Sequence, residues 1–382
     1  MKSIPYGKQF LDKEDEKFVK SSLSKNFITT GPSVIKFEKD LRKYLKSKFA
    51  YVCNSGTSAI HLALLSLKVK KNDIILMPAI NFVASYNMSR LLGAKIFLVD
   101  VDSKTGQMTP ETVVDCIKKN KIKKIKILFL MYHGGYPENI IKFYKLKKKY
   151  RFSIIEDACH ALGSGYLKNK KVVKIGSCLN SDICTFSFHP IKSITTGEGG
   201  AITTNNKKIS DRIKIYRNHG IKRDKKFYWK YNVLDLGFNY RISDINCSLG
   251  ISQLKKLDIF LLKRKDCYDY YLKEFKNYNK NIFINQYSKD LIPSYHLVII
   301  NINFKNLRKD KDHFIKYLNK NSIFPQSHYI PLYKFEVFHK KNFKLEGAEK
   351  YFGNSLSLPI FVGLTKKQQK FIVTKIKNYF NS

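Results

Sequence analysis

Through its first two thirds the chain repeats one pattern, a short apolar run followed by a stretch of helical periodicity. The runs lie at 49–53, 74–77, 95–99, 125–132, 152–156, 183–188 and 200–204, with helical segments at 57–67, 82–92, 110–119 and 140–149. Unbroken apolar runs of this length belong to strands covered on both faces, and strand–helix alternation connects such strands in parallel. The pattern predicts an α/β fold with a seven-stranded, mostly parallel sheet, and it directs the search for ligands to the carboxyl ends of the strands. After about residue 242 the pattern changes to a helical region reaching 275, a strand at 295–302, and helices at 309–319 and 366–379. We therefore expect a large α/β domain over 1–242 and a smaller α+β domain over 243–382.

Composition narrows the classes. A chain of 382 residues that is 43% hydrophobic can bury a large core. Its apolar stretches fall well short of the ~18 residues of a membrane span. The opening MKSIPYGKQFLDKEDEKFV carries charge where a signal peptide has its apolar segment, so a cytoplasmic protein with no membrane partner is expected. The seven cysteines are scattered and form no CxxC, which predicts buried, reduced thiols and no metal site. The formal charge of +41 is that of a nucleic-acid binder, but the lysines are spread along the whole chain and accompany no nucleic-acid-binding motif. They read as solvated surface whose field favours an anionic substrate, with no nucleic-acid partner expected.

Four strand ends carry the chemistry. In TFSFHPIKSITTGEGGAITT (185–204) an apolar strand gives way to a loop holding Lys192. In CNSGTSAIHLAL (53–64) a strand runs through Ser55, Gly56, Thr57 and Ser58 into an apolar helix, an arrangement that suits a phosphate as well as an ordinary N-cap. SIIEDACHALGS (153–164) ends a strand at Asp157, with His160 just beyond it, and a buried carboxylate there needs a cationic partner. PAINFVASYN (78–87) sets Phe82 after another strand, where it is either a core aromatic or a flat surface for a ring. Each has a bland reading alone. Together they meet the needs of pyridoxal 5'-phosphate: a Schiff-base lysine, an acid for the pyridine nitrogen, a phosphate cup and an aromatic face.

With LGFNYRISDINCSLGISQLKKLD (236–258), these segments resemble, in order and over nearly the whole chain, the DegT/DnrJ/EryC1/StrS family of fold-type-I pyridoxal-phosphate aminotransferases. The resemblance implies that Lys192 holds the cofactor and moves the substrate proton. It implies that Asp157 keeps the pyridine nitrogen protonated, that Phe82 lies against the ring and that His160 reaches its phenolic oxygen. Gly56, Thr57, Ser58 and Ser187 would form the phosphate cup, completed by Asn239 from a second subunit, so that the active unit is a homodimer with shared sites. Family members with histidine at the lysine position are dehydratases; lysine at 192 favours transamination.

The segments IPYGKQFLDKEDEKFV (4–19), KNFITTG (25–31) and FPQSHYIPLY (324–333) resemble the branch of that family acting in pseudaminic acid biosynthesis. That branch aminates C4 of a UDP-linked 4-keto-6-deoxy-N-acetylhexosamine, with L-glutamate as donor and 2-oxoglutarate as product. Its sugar contacts would map to Tyr6, to Asn26, Phe27, Ile28 and Thr29, and to Gln326, Ser327, His328 and Tyr329. Transaminases for bacillosamine, legionaminic acid and dTDP-deoxysugars share much of the same pattern and remain alternatives.

Overall fold

The computed structural model describes residues 3–227, 229–338 and 343–381. The seven apolar runs form one sheet: β1 (Phe49–Cys53), β2 (Ile74–Pro78), β3 (Lys95–Val99), β4 (Ile127–Met131), β5 (Ser153–Asp157), β6 (Ile183–Ser187) and β7 (Gly200–Thr204). Their order across it is β1-β7-β6-β5-β4-β2-β3, and β7 alone runs antiparallel to its neighbours. Every residue of β4 and β7 is buried, which is why these runs lack polar alternation. The boundaries differ from the sequence expectation by no more than a residue or two.

The reversal of β7 shapes the site. Its first residue, Gly200, pairs with Cys53 on one side and Ser187 on the other, so the ends of β1 and β6 flank the start of β7. A Cβ on Gly200 would lie 2.3 Å from the Ser55 carbonyl oxygen, a separation only glycine permits. The helix Gly56–Ser66 then starts at this edge, with the Ser55 hydroxyl accepting from the Ser58 amide at 3.0 Å.

The helical region ending at 275 is two helices, Asp244–Lys255 and Leu257–Phe275, joined at Lys256. The buried apolar residues gather in two clusters. The first spans the central sheet and includes Cys247, Ile251 and Leu254 of the first of these helices. The second is built from the far half of Leu257–Phe275, the three-stranded sheet of Ile282–Ile284, Val298–Ile302 and Ser355–Leu358, and the closing helix Lys366–Asn381. Ile4 joins that second cluster, because Ile4–Pro5 pairs in parallel with Ile323–Phe324. The sequence pattern did not reveal Ile282–Ile284, Ser355–Leu358 or the hairpin Gly165–Lys168/Lys171–Lys174, which are short and carry little apolar periodicity. All seven cysteines are free; six are buried and Cys159 is half-buried. Among the described residues no helix is long and apolar enough to cross a membrane.

Candidate active site

The carboxyl edge of the sheet opens into a cavity of about 520 Å³. It is lined by Gly56, Thr57, Phe82, Asp157, His160, Ser187 and Lys192, and also by Tyr6, Gln326, Ser327, His328 and Tyr329. One wall is the start of the helix Gly56–Ser66, whose first amides have no acceptor within the helix. Opposite stands Ser187, so close that a Cβ on Gly56 would come within 2.9 Å of the Ser187 Cβ. Free amides, hydroxyls and a helix start facing one space make an anion cup.

The floor carries the titratable pair. Asp157 ends β5 and is buried, with one carboxylate oxygen accepting from the Cys159 amide at 3.2 Å. Burial raises its pKa, eased by Cys159 and by the charge of Lys192. Burial likewise lowers the pKa of Lys192, while Cys159 and Asp157 pull it upward. A buried acid that resists ionising and a lysine inclined to neutrality both gain from a cationic ring nitrogen placed beside the acid.

Behind the floor lies a set of imidazoles. His160 receives the Gly134 amide on Nδ1 at 3.4 Å and faces the Tyr329 hydroxyl through Nε2 at 2.9 Å. His133 bonds the Tyr351 hydroxyl at 2.7 Å, and His328 bonds Ser357 at 2.9 Å. Burial pushes His133 down to about 3 and holds His160, His296 and His328 well below the ordinary imidazole range. Burial favours the neutral form of all four rings; His160, His133 and His328 bond neighbouring groups, whereas neither ring nitrogen of His296 has a partner among the described residues. In this arrangement Nε2 of His160 is engaged by Tyr329.

Phe82 stands at the cavity wall with 56% of its surface exposed, as an aromatic face awaiting a ring would. Tyr6 meets His328 edge-on at 5.0 Å between centroids, which joins two sequence segments more than three hundred residues apart. Other expected residues stand elsewhere. The Ser58 hydroxyl turns away to Asn54 at 2.6 Å. Asn26, Phe27, Ile28 and Thr29 are exposed and do not line the cavity; the Asp244 amide, bonding the Ile28 carbonyl at 2.9 Å, ties them to the start of the helix Asp244–Lys255. Asn239 is exposed too, its carbonyl accepting from Asn54 at 3.3 Å.

The cavity also takes in Asn81, Met131, Cys159, His189 and Glu198, which sequence reasoning had not singled out. Asn81, Cys159, His189 and Glu198 lie inside the quoted motifs, within a few residues of Phe82, Asp157 and Lys192, which was the available signal. His133 and His296 had none, since they reach His160 only through packing.

The residues present fit pyridoxal phosphate: a cup for its phosphate, a buried acid for its ring nitrogen, an exposed aromatic for its face and a lysine of lowered pKa for its aldehyde. Comparison with known proteins agrees. Residues 9–377 match the DegT/DnrJ/EryC1/StrS aminotransferase family. The chain is 37% identical, over 97% of its length and 95% of the relative's, to the UDP-4-amino-4,6-dideoxy-N-acetyl-beta-L-altrosamine transaminase of Campylobacter jejuni. It superposes with a TM-score of 0.90 and 30% identity, covering 100% of both chains, on Helicobacter pylori PseC, an aminotransferase involved in pseudoaminic acid biosynthesis. The pyridoxal-phosphate form of the sugar aminotransferase Spr1654 of Streptococcus pneumoniae matches with a TM-score of 0.89 and 25% identity over 99% of each chain. With fold, cavity chemistry and these likenesses in agreement, the chain belongs to the DegT/DnrJ/EryC1/StrS aminotransferase family and is a pyridoxal-phosphate-dependent enzyme.

Proposed function

We propose that this aminotransferase moves the amino group of L-glutamate to C4 of a UDP-linked 4-keto-6-deoxy-N-acetylhexosamine, in the cytoplasm. The observation that carries the substrate reading is the shared cavity of Lys192 and Asp157 with Tyr6 and Gln326, Ser327, His328 and Tyr329. The reacting lysine and the segments that resemble the sugar-reading parts of the pseudaminic branch border one space. The names of the Campylobacter and Helicobacter relatives support the same substrate class.

When bound, pyridoxal phosphate would supply an electron sink for the electron pair left at the deprotonated carbon and an aldehyde carbon to carry the amino group between the two substrates. The protein's part is proton handling and orientation. Lys192 Nζ takes the α-proton of glutamate and, in the second half of the exchange, delivers a proton to C4 of the sugar, one base–acid serving both halves. Its lowered pKa supplies the neutral amine this needs. Asp157 would hold the proton on the ring nitrogen, and Gly56, Thr57 and Ser187 would bind the phosphate. Phe82 would lie against the ring, and His160, whose Nε2 is engaged by the Tyr329 hydroxyl, would reach the phenolic oxygen through Tyr329.

The active unit is a homodimer in which Asn239 and the segment Asn26, Phe27, Ile28 and Thr29 serve the neighbouring copy's site. The family resemblance implies that Asn239 completes the neighbouring copy's cup, and the exposure of these residues outside their own chain's cavity leaves them open to a second copy. The deciding assay offers UDP- and dTDP-linked 4-keto sugars with glutamate and measures 2-oxoglutarate. Release with UDP-2-acetamido-2,6-dideoxy-β-L-arabino-hex-4-ulose is expected. Preference for the D-xylo epimer or a dTDP sugar would reject the pseudaminic branch.

A further inference from the structure

Asn81 follows β2 and lines the same cavity beside Phe82, yet it is 1% exposed and its side-chain oxygen has no hydrogen-bond partner among the described residues. The other end of the amide is committed, Nδ2 donating to the Ser85 hydroxyl at 2.8 Å. Ser85 turns its own proton toward the Met77 sulfur at 4.0 Å, so it accepts from the amide, which leaves the carbonyl oxygen as the free end. A buried acceptor without a donor is a standing cost that a protein ordinarily removes. Here the residue borders the space in which ligands react.

We propose that Asn81 is a specificity-determining residue whose carboxamide oxygen accepts a hydrogen bond from an O–H or N–H donor on the sugar ring. This rests on the keto-sugar reading above. The sugar is favoured over the cofactor because of what the Asn81 loop is tied to. The Leu332 amide donates to the Ala79 carbonyl at 2.9 Å, and the rings of Phe82 and Tyr329 lie 5.9 Å apart, so the loop is fastened to the segment that includes Gln326 and Tyr329. The cofactor's ring nitrogen has its acceptor in Asp157. An acceptor-only group selects sugars that carry a donor there and discriminates against those that do not, since the latter leave the oxygen unpaired.

The test uses the cofactor-loaded enzyme and follows the two half-reactions separately, with Asn81→Ala, Asn81→Asp and Ser85→Ala. Asn81→Ala should lower kcat/KM for the keto sugar about tenfold while cofactor retention and the glutamate half-reaction stay unchanged. Its Tm should change little, because removing the unsatisfied acceptor offsets the loss of the amide's bond to Ser85. Asn81→Asp, which keeps a carbonyl at the same place, should recover much of the loss. Ser85→Ala should produce a smaller loss, since the amide keeps its oxygen.

Loss of cofactor retention or of the glutamate half-reaction in Asn81→Ala would assign the oxygen to the cofactor and overturn the proposal. Unchanged sugar kinetics would do the same, as would Asn81→Asp falling as far as Asn81→Ala. Failure of the substrate reading is seen separately, as wild-type enzyme that aminates no UDP-linked keto sugar; the same variants are then compared on the nucleotide sugar that it does use.

Discussion

The Tyr329 hydroxyl lies 2.9 Å from Nε2 of His160, whose Nδ1 takes the Gly134 amide. With Nδ1 accepting, Nε2 carries the ring proton and donates it to Tyr329, which keeps its own hydroxyl proton for a group in the cavity. In the proposed function Tyr329 would stand between the cofactor side of the site, through His160, and the sugar side, through its own segment.

Removing that hydroxyl should be felt in both halves of the reaction. Tyr329→Phe is expected to slow the glutamate and sugar half-reactions alike, each by about tenfold. Tyr6→Phe should weaken only the sugar half-reaction, because Tyr6 meets His328 and not His160. Rapid-mixing measurement of the two halves separates the cases. A glutamate half-reaction untouched by Tyr329→Phe would detach Tyr329 from His160's role.

Asp157 gives a stability prediction with a definite sign. Burial raises its folded pKa, so ionising it costs more in the native cofactor-free protein than in the unfolded chain. The carboxylate is therefore destabilising at pH above its folded pKa, and the penalty vanishes as pH falls below the unfolded value of about 3.9. Asp157→Asn should raise the Tm of the cofactor-free protein at pH 7, with the gain shrinking toward pH 4. With cofactor bound the order should reverse, since the ring nitrogen's proton gives the carboxylate its partner, and the variant should lose most of its activity. Calorimetry of both forms across pH checks this.

Gly56 predicts a steric failure. A methyl group there would meet the Ser187 Cβ at 2.9 Å, an atom fixed by its own backbone. Gly56→Ala should cost about 1–3 kcal/mol of stability through overpacking and close the phosphate cup. Equilibrium dialysis should show cofactor binding weakened well beyond the effect of Thr57→Ala.

The proposed homodimer with shared sites predicts complementation. Lys192→Ala should abolish the borohydride-reducible cofactor linkage, and Asn239→Ala should be strongly impaired alone. Mixed dimers of the two inactive chains should regain activity, because one of the two sites recovers both native residues. No recovery after subunit exchange, verified by native mass spectrometry, would mean that each chain builds its site alone.

All seven strands of the sheet were legible because they are buried on both faces, which writes their position into composition alone. That Lys192, Asp157, Gly56 and Phe82 border one cavity was legible because each sits at or a few residues beyond the carboxyl end of such a strand. The strands Ile282–Ile284 and Ser355–Leu358 were not, since runs this short hold only by pairing with Val298–Ile302.

What the sequence determined by itself is the class of fold and the kind of cofactor, because both depend on local patterns that a few consecutive residues express. What only the tertiary structure decided is which distant side chains share the cavity: Tyr6 against His328, Tyr329 on His160, and the oxygen of Asn81 left unpaired. Tyr6 reaches His328 because Ile4–Pro5 pairs with Ile323–Phe324, and the loop of Asn81 meets the segment of Tyr329 because the Leu332 amide bonds the Ala79 carbonyl. Contacts between residues so far apart depend on packing free energy summed over the whole molecule, which no short stretch of sequence contains.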